Sequence, residues 1–179
     1  GEFAATQLDS AKLSLELERI GAVEILVAED GDLSSSGEQR WVGMSQGAGT
    51  TSRLTTVERA FFDLDQAREA LLSHYRILTL ESFGCEELPL AVCAAGAVVH
   101  YLSRTQKQAR VQLQNLATYS VSGYMALDGR TRRNLELFQG GRGEQKELSL
   151  LAALDRTRTA MGGRLLRQWL GQPLLDLPD

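Results

Sequence analysis

The feature that most constrains the fold is an apolar run near the middle of the chain, within Leu88–Leu102. The run includes Pro89 and His100, and it is shorter than the roughly 18–20 residues that a helix needs to cross a bilayer. It predicts a helix that begins after Pro89 and ends near Gln106. A helix that is apolar on most sides must be covered by other elements, so the chain must supply them.

Elements of both kinds are predicted around this helix. Ser10 caps a predicted helix over residues 11–20, with Leu13, Leu17 and Ile20 on its inner face. Val23–Ala28 is nearly continuously apolar, which is typical of a buried parallel strand. Further predicted elements are a strand over 53–57, a helix from Asp63 or Asp65 through Tyr75, a strand over 124–127, and helices after Asp128, Ser149 and Thr159. This order favours an α/β fold with a small sheet and packed helices.

Residues 127–137, which read LDGRTRRNLEL, combine a strand-like lead-in with a helix start. Asp128 is placed to accept hydrogen bonds from the first free N–H groups of that helix. Arg132 and Glu136 are four residues apart, so on one continuous helix they would face each other. The segment therefore predicts a short, capped and basic helix.

A second segment has a similar plan. Thr159 precedes a helix that reads AMGGRLLRQWL, and the chain then closes on Gln172-Pro173-Leu174. Earlier in the chain, Phe62-Asp63-Leu64-Asp65 precedes one helix and Cys93-Ala94-Ala95-Gly96-Ala97 lies in another. In this order and at this separation, these segments resemble the bacterial mismatch-recognition proteins of the MutS family.

The resemblance implies two partial domains. Residues 1–107 resemble the connector domain, whose fold is related to ribonuclease H and whose first strands are missing here. Residues 108–179 resemble the start of the mainly α core domain, which anchors the lever helices. The fold class that we expect is therefore α/β, with an incomplete sheet and packed helices followed by a mainly helical segment.

The resemblance also implies a role. In the family, the connector joins the mismatch-binding domain to the core, carries conformational information between DNA and the ATPase, and offers a docking surface for MutL. We expect a non-catalytic segment with no cofactor of its own, within a parent that uses ATP and Mg²⁺ and binds mismatched duplex DNA as a homodimer. Two widely spaced cysteines, Cys85 and Cys93, and the lack of a secretory leader or membrane span favour a cytoplasmic protein.

Two groups of residues are candidates for these roles. The first group is expected to hold neighbouring domains in place: Asp128, Arg132, Arg133, Asn134, Glu136, Met161, Gly162, Arg164 and Trp169. The second is the outward side of the predicted helix through Tyr75, where Gln66 and Glu69 would meet MutL.

Catalytic patterns are not apparent in the sequence. A phosphate-binding loop needs a lysine after a glycine-rich turn, and Lys12, Lys107 and Lys146 have no such context. A metal nuclease of the ribonuclease H type needs clustered carboxylates on its central strands, and Val23–Ala28 offers only Glu24. Neither a nucleotide site nor a metal site is expected in this segment.

Charge leaves one alternative open. Residues 1–103 contain 7 Lys and Arg against 16 Asp and Glu, whereas residues 104–167 contain 12 against 5. The contrast suits two differently charged surfaces in one assembly, with arginines that pair with acids between domains. It also suits a stand-alone nucleic-acid-binding module that uses residues 104–167. A generic helical scaffold without a repair function is the third possibility.

Overall fold

The computed structural model describes residues 3–29, 52–106, 113–141 and 145–175. These residues form two compact units. The first unit contains residues 3–9, 23–29, 52–106 and 113–120, and the second contains residues 10–22, 121–141 and 145–175. Residues 30–49 are rich in glycine and serine, which predicts a surface loop, and they lie outside the described ranges.

The described elements mix strands and helices, as the sequence predicts. In chain order they are β1 (Phe3–Ala5), α1 (Ser10–Ile20), β2 (Glu24–Ala28), β3 (Arg53–Val57), α2 (Leu64–Tyr75), α3 (Pro89–Thr105), β4 (Leu116–Thr118), α4 (Gly129–Asn134), α5 (Leu150–Leu154) and α6 (Ala160–Gly171). Short 3₁₀ turns occupy Arg59–Phe62, Glu81–Phe83 and Lys146–Leu148. The helices after Ser10, Pro89, Asp128, Ser149 and Thr159 are thus confirmed.

Two small parallel sheets lie in the first unit. β2 pairs with β3 in the register Glu24 to Arg53, which confirms both predicted strands and their parallel direction. The predicted burial of β2 is wrong, because Glu24 is exposed and the other residues of the strand are only half-buried. β1 pairs with β4, with Phe3 opposite Leu116. No local pattern predicts β4, because a strand of three residues is too short to show alternation.

The strand predicted over residues 124–127 is wrong. Tyr124 forms only an isolated antiparallel bridge with Leu174 in the second unit. The backbone is held there by Met125 N–H, which donates to Pro173 O at 2.8 Å, and by Leu175 N–H, which donates to Gly123 O at 3.0 Å. An extended run of apolar residues is typical of a strand, which is why the sequence predicts one here. The backbone of residues 124–127 forms one bridge instead of a ladder of hydrogen bonds.

The pair α2 and α3 forms the core of the first unit. Asp63 caps α2 by accepting a hydrogen bond from Gln66 N–H at 3.1 Å, which decides between the two predicted caps. The side of α3 that faces the core is fully or almost fully buried: Ala91, Val92, Ala95 and Val99. Ala67 and Leu71 of α2 are completely buried in the same cluster. The apolar central helix is therefore covered, as its composition requires.

A glycine sets the distance between these two helices. Gly96 of α3 lies against α2 so closely that a Cβ atom at this position would overlap with the Cα and Cβ atoms of Ala67. Close approach of this kind lets small residues pack backbone against backbone, which leaves little room for the helices to shift. Any side chain at residue 96 must push the helices apart.

The second unit is built from shorter helices, and α1 belongs to it although β1 and β2 flank α1 in sequence. The inner face that we predicted for α1 is wrong at Ile20, which is 50% exposed. Glu16 is the buried residue of α1 instead. Its carboxylate accepts hydrogen bonds from Arg19 at 2.8 and 2.6 Å, and a paired carboxylate is much less costly to bury.

The domain division between residues 107 and 108 stays a prediction, since compact units are not the same as family domains. Both cysteines are free thiols in the structure, Cys85 buried and Cys93 half-buried. Burial raises the pKa of both thiols, so neither is activated as a thiolate.

Replacing Gly96 with alanine should destabilise the first unit. Overpacking a core costs about 1–3 kcal/mol, and alanine in a helix returns up to ~1 kcal/mol, so we expect a net loss of about 1–2 kcal/mol. Hydrogen exchange of the α3 amides measures this loss within one unit. Gly123→Ala is the control, since a Cβ there meets nothing within 4 Å. Equal protection of α3 in both variants would contradict the close-packing argument.

Candidate functional site

The first group of predicted residues begins at the short helix α4. Asp128 has the predicted role of cap: its Oδ1 accepts a hydrogen bond from Thr131 N–H at 2.6 Å. These bonds from Thr131 hold the pKa of Asp128 below its ordinary value of 3.8. The helix has only six residues, and it ends at the exposed Asn134.

The end of α4 overturns one expectation from the sequence. Arg132 and Glu136 do not share a helix, because the chain reverses at Glu136, which has a left-handed backbone with φ of 50°. Glu136 N–H donates to Arg133 O at 2.9 Å and Leu137 N–H donates to Arg132 O at 3.2 Å. This pair of bonds is a Schellman motif, which usually has glycine at the left-handed residue. A glutamate there hid the helix end from sequence reasoning.

Glu136 instead fastens the end of α4 to the segment that follows. Its Oε1 accepts a hydrogen bond from Gly141 N–H at 2.8 Å. Its carbonyl oxygen accepts one from Leu150 N–H, also at 2.8 Å, at the start of α5. These contacts lie within the second unit and have a geometry that the sequence does not indicate, and a role for Glu136 between domains stays a prediction.

The two adjacent arginines have different surroundings. Arg133 is exposed, and its Nε donates to Gly129 O at 3.3 Å. Arg132 is half-buried, and its Nε is fully buried with no hydrogen-bond partner among the residues that the structure describes. Burial lowers the pKa of the Arg132 guanidinium, and the carboxylates of Glu18 and Glu16 oppose this effect. The pair is therefore one surface residue and one interior cation.

Sequence reasoning missed the contribution of α1 to this region. Glu18 Oε2 accepts a hydrogen bond from Gly129 N–H at 3.0 Å, so α1 supplies a carboxylate to the start of α4. A Cβ at residue 129 would overlap with the Glu18 carboxylate, so glycine is what allows the close contact. The two residues are 111 positions apart, and no local pattern connects them.

The cap of α6 is formed as predicted. Gly162 N–H donates to Thr159 Oγ1 at 3.1 Å. A Cβ at residue 162 would lie 3.2 Å from the Cβ of Thr157, which explains why a small residue suits this first turn. Gly162 is therefore a structural residue of the helix start, and its expected role between domains stays a prediction.

The rest of α6 presents side chains to solvent. Met161 is 74% exposed and Trp169 is 65% exposed, with Leu165 between them at helical spacing. Arg164 is exposed, whereas the neighbouring Arg167 lies with its guanidinium 4.4 Å from the centre of the Phe138 ring. Interdomain roles for Met161, Arg164 and Trp169 stay predictions, and their exposure is compatible with them.

The second group lies on α2 in the first unit. Gln66 and Glu69 are both exposed, as the periodicity of the helix predicts. Both polar groups of the Gln66 backbone have partners. The N–H donates a hydrogen bond to Asp63 Oδ1, and the carbonyl oxygen lies 3.4 Å from His100 Nε2. The side chains are thus held on a well-anchored turn, and their role in docking stays a prediction.

Within residues 3–29, 52–106, 113–141 and 145–175, no group of three or more His, Cys, Asp and Glu side chains is arranged to hold a metal ion. Over the same described ranges, no helix has the length and apolar character to span a membrane.

Asp128→Asn should keep the cap and remove its dependence on pH. Because the pKa of Asp128 is lower in the folded chain, its carboxylate stabilises α4 fully above about pH 3.8 and loses this effect as pH falls through the lowered pKa. The NMR shift of the Thr131 amide should follow that titration in the original chain and not in the variant. Asp155→Asn, which removes another carboxylate of lowered pKa, should leave the Thr131 titration in place. If the NMR shift of the Thr131 amide does not change with pH in the original chain or in either variant, the prediction is wrong.

Two family models match the chain in succession. The model described as MutS domain II matches residues 1–117, and the model described as MutS domain III matches residues 130–179. The first match covers more than half of the chain, and together the two matches reach from its first residue to its last. The matched order agrees with the order of the motifs in the sequence.

Individual relatives agree with the family models. A protein of Dehalococcoides mccartyi named DNA mismatch repair protein MutS is 44% identical over 178 residues, which are 99% of this chain and 20% of the relative. A protein of the same name in Thermosynechococcus vestitus is 45% identical, and the match covers 100% of this chain and 21% of the relative. Another in Synechococcus elongatus is 53% identical over 64% of this chain and 13% of the relative. The chain spans about a fifth of the length of the first two relatives. It therefore belongs to the MutS family of DNA mismatch repair proteins, in the region of domains II and III.

Proposed function

We propose that this chain is the coupling segment of a longer mismatch repair protein, placed between a mismatch-binding domain and the core and ATPase. The observation that carries the proposal is the succession of domain II and domain III matches in one chain. The segment itself performs no catalysis in this proposal. ATP, Mg²⁺ and mismatched duplex DNA are ligands of the whole protein, which we propose to be a cytoplasmic homodimer.

The packing of the first unit supports a role in transmitting conformational change between two sites. A part that carries displacement between two sites must move as a body, because an element that deforms absorbs the displacement. α2 and α3 meet through Ala67 and Gly96 without intervening side chains. Arg68 on α2 bonds Glu86, and Glu86 also accepts Leu80 N–H at 2.9 Å, which ties the loop before α3 to α2. We propose that residues 1–107 belong to a ribonuclease H-like connector domain and that residues 108–179 belong to the start of the core domain.

The second unit supports the same proposal through its backbone contacts. α4 and α5 are short, and α4, α5 and α6 each have a side-chain cap at the N-terminus, from Asp128, Ser149 and Thr159 respectively. Capping fixes where a helix begins and removes free N–H groups that would otherwise need water. Short helices with fixed ends suit an anchoring role, which we assign to the first group of residues.

Coupling is tested in the full-length protein that carries this segment. Gly96→Ala should leave mismatch binding and basal ATP hydrolysis close to their original values, because both sites lie outside this segment. The change in hydrolysis rate on addition of mismatched duplex should shrink, because α2 and α3 no longer move as a body. Gly123→Ala is the matched control and should retain the full response. A full response in the Gly96→Ala protein would count against coupling through this pair of helices.

MutL docking is tested on the exposed side of α2. Glu69→Lys should weaken association of the full-length protein with MutL, and Gln66→Lys with Glu69→Lys should weaken it further, since both side chains are exposed on that helix. Glu87→Lys makes the same charge change at another exposed residue of the first unit and should have little effect. Surface plasmon resonance with immobilised MutL gives the affinities. Equal losses of MutL affinity for Glu69→Lys and Glu87→Lys would indicate a general charge effect and contradict the proposed docking surface on α2.

The alternative is the nucleic-acid-binding module over residues 104–167. Several of its cations already have neighbours: Arg104 donates to Glu58 at 2.5 Å and lies 4.5 Å from the centre of the Phe61 ring, and Arg167 lies over Phe138. These contacts favour structural roles for those arginines. A salt-dependent shift of labelled duplex DNA by the 179-residue chain would support the module instead.

A further inference from the structure

The second unit contains a cavity that the proposed function does not use. Its volume is about 310 Å³, which lies at the lower end of the range for small-molecule sites. α1 forms one wall of the cavity, and residues 121–127 form a second wall. The C-terminal end of α6 and the residues just after it form a third wall. All of the lining residues belong to this one unit.

One side chain of the lining has an unmet hydrogen-bonding requirement. Arg132 Nε is buried and has no acceptor among the described residues. A buried donor without a partner is rare in folded proteins, and it marks a place where an acceptor is favoured. Arg132 as a whole is half-buried and lines the cavity, and a planar guanidinium matches a carboxylate by two parallel hydrogen bonds, so a carboxylate is the ligand group that suits this side chain best.

The other charged residues of the lining indicate the charge of the ligand. Lys12 and Arg19 add positive charge to that of Arg132, whereas Glu16 is the one acidic residue of the lining and already accepts two hydrogen bonds from Arg19. A negative head is therefore favoured. The carboxylate of Glu16 in the same wall repels a second negative charge, so a monoanion fits better than a doubly charged phosphate.

Apolar side chains line the cavity beside these charges, among them Leu15, Met125 and Leu127. They favour an apolar body next to the charged head. We propose that this cavity binds a small monocarboxylate with an apolar chain, with its head on Arg132 and its body against these three side chains. The proposal concerns a site of this unit alone, so it stands whether or not the segment couples DNA to an ATPase.

Octanoate is the probe, because it is a carboxylate on an unbranched alkyl chain, and octanol is the uncharged comparison. Titrated into the 179-residue chain and followed by NMR, octanoate should bind saturably and shift the methyl signals of Leu15 and Met125. Loss of a charge-assisted hydrogen bond weakens binding by about tenfold or more, so octanol should bind at least about tenfold more weakly.

Arg132→Gln should weaken octanoate binding by about tenfold and leave octanol binding unchanged. Arg133→Gln removes the same charge from the exposed neighbour on α4 and should leave both affinities unchanged. Leu15→Phe keeps Arg132 and narrows the cavity, so it tests the site even if the Arg132 variant fails to fold; it should weaken both ligands. Equal affinity for octanoate and octanol, equal effects of the two arginine substitutions, no effect of Leu15→Phe, or absence of saturable binding would each overturn the proposal.

Discussion

The first unit depends on the close approach of Gly96 to Ala67. Two helices that meet backbone to backbone leave no long side chains between them to adjust, and their separation is therefore fixed by the chain itself. The buried faces of α2 and α3 then define the cluster on which Phe3, Leu80 and Leu116 pack. The small strands β1 and β4 owe their position to this cluster more than to their own pairing, since two strands of three residues are too short to persist alone.

The second unit is stabilised differently. Its helices α4 and α5 are short and its α6 is exposed along much of its length, so burial contributes less and backbone hydrogen bonds contribute more. Caps from Asp128, Ser149 and Thr159, the Schellman motif at Glu136 and the carboxylate of Glu18 on Gly129 satisfy groups that helix ends otherwise leave open. A unit with this balance is sensitive to small polar substitutions that a large apolar core would tolerate.

Local signals in the sequence predicted much of this architecture. The caps at Asp128, Ser149 and Thr159 and the long apolar helix α3 were all indicated by nearby residues, because capping and periodicity act over a few positions. The strand β4, the early end of α4 and the exposed Ile20 were not. β4 exists through its partner β1, about a hundred residues away in sequence, and α4 ends at a glutamate in a conformation usually reserved for glycine.

The same distinction applies to the candidate site. Exposure of Gln66 and Glu69 followed from helical spacing, whereas the contact of Glu18 with Gly129 and the buried position of Arg132 required the fold. The order of the motifs along the chain predicted the family, because motif order can be recognised even where individual contacts cannot be predicted. Contacts between residues far apart in sequence are set by the packing of whole elements, and one sequence alone does not encode them in any local pattern.

The position of α1 has a consequence for how this polypeptide can be divided. The chain enters the second unit at Ser10, returns to the first before β2, and enters the second again after residue 120. A cut between the two family matches, at any peptide bond from 117–118 to 128–129, would leave α1 on one fragment and the Gly129 that it contacts on the other. Each fragment would then lack part of the second unit, so that unit joins residues from two stretches of sequence that match different family domains.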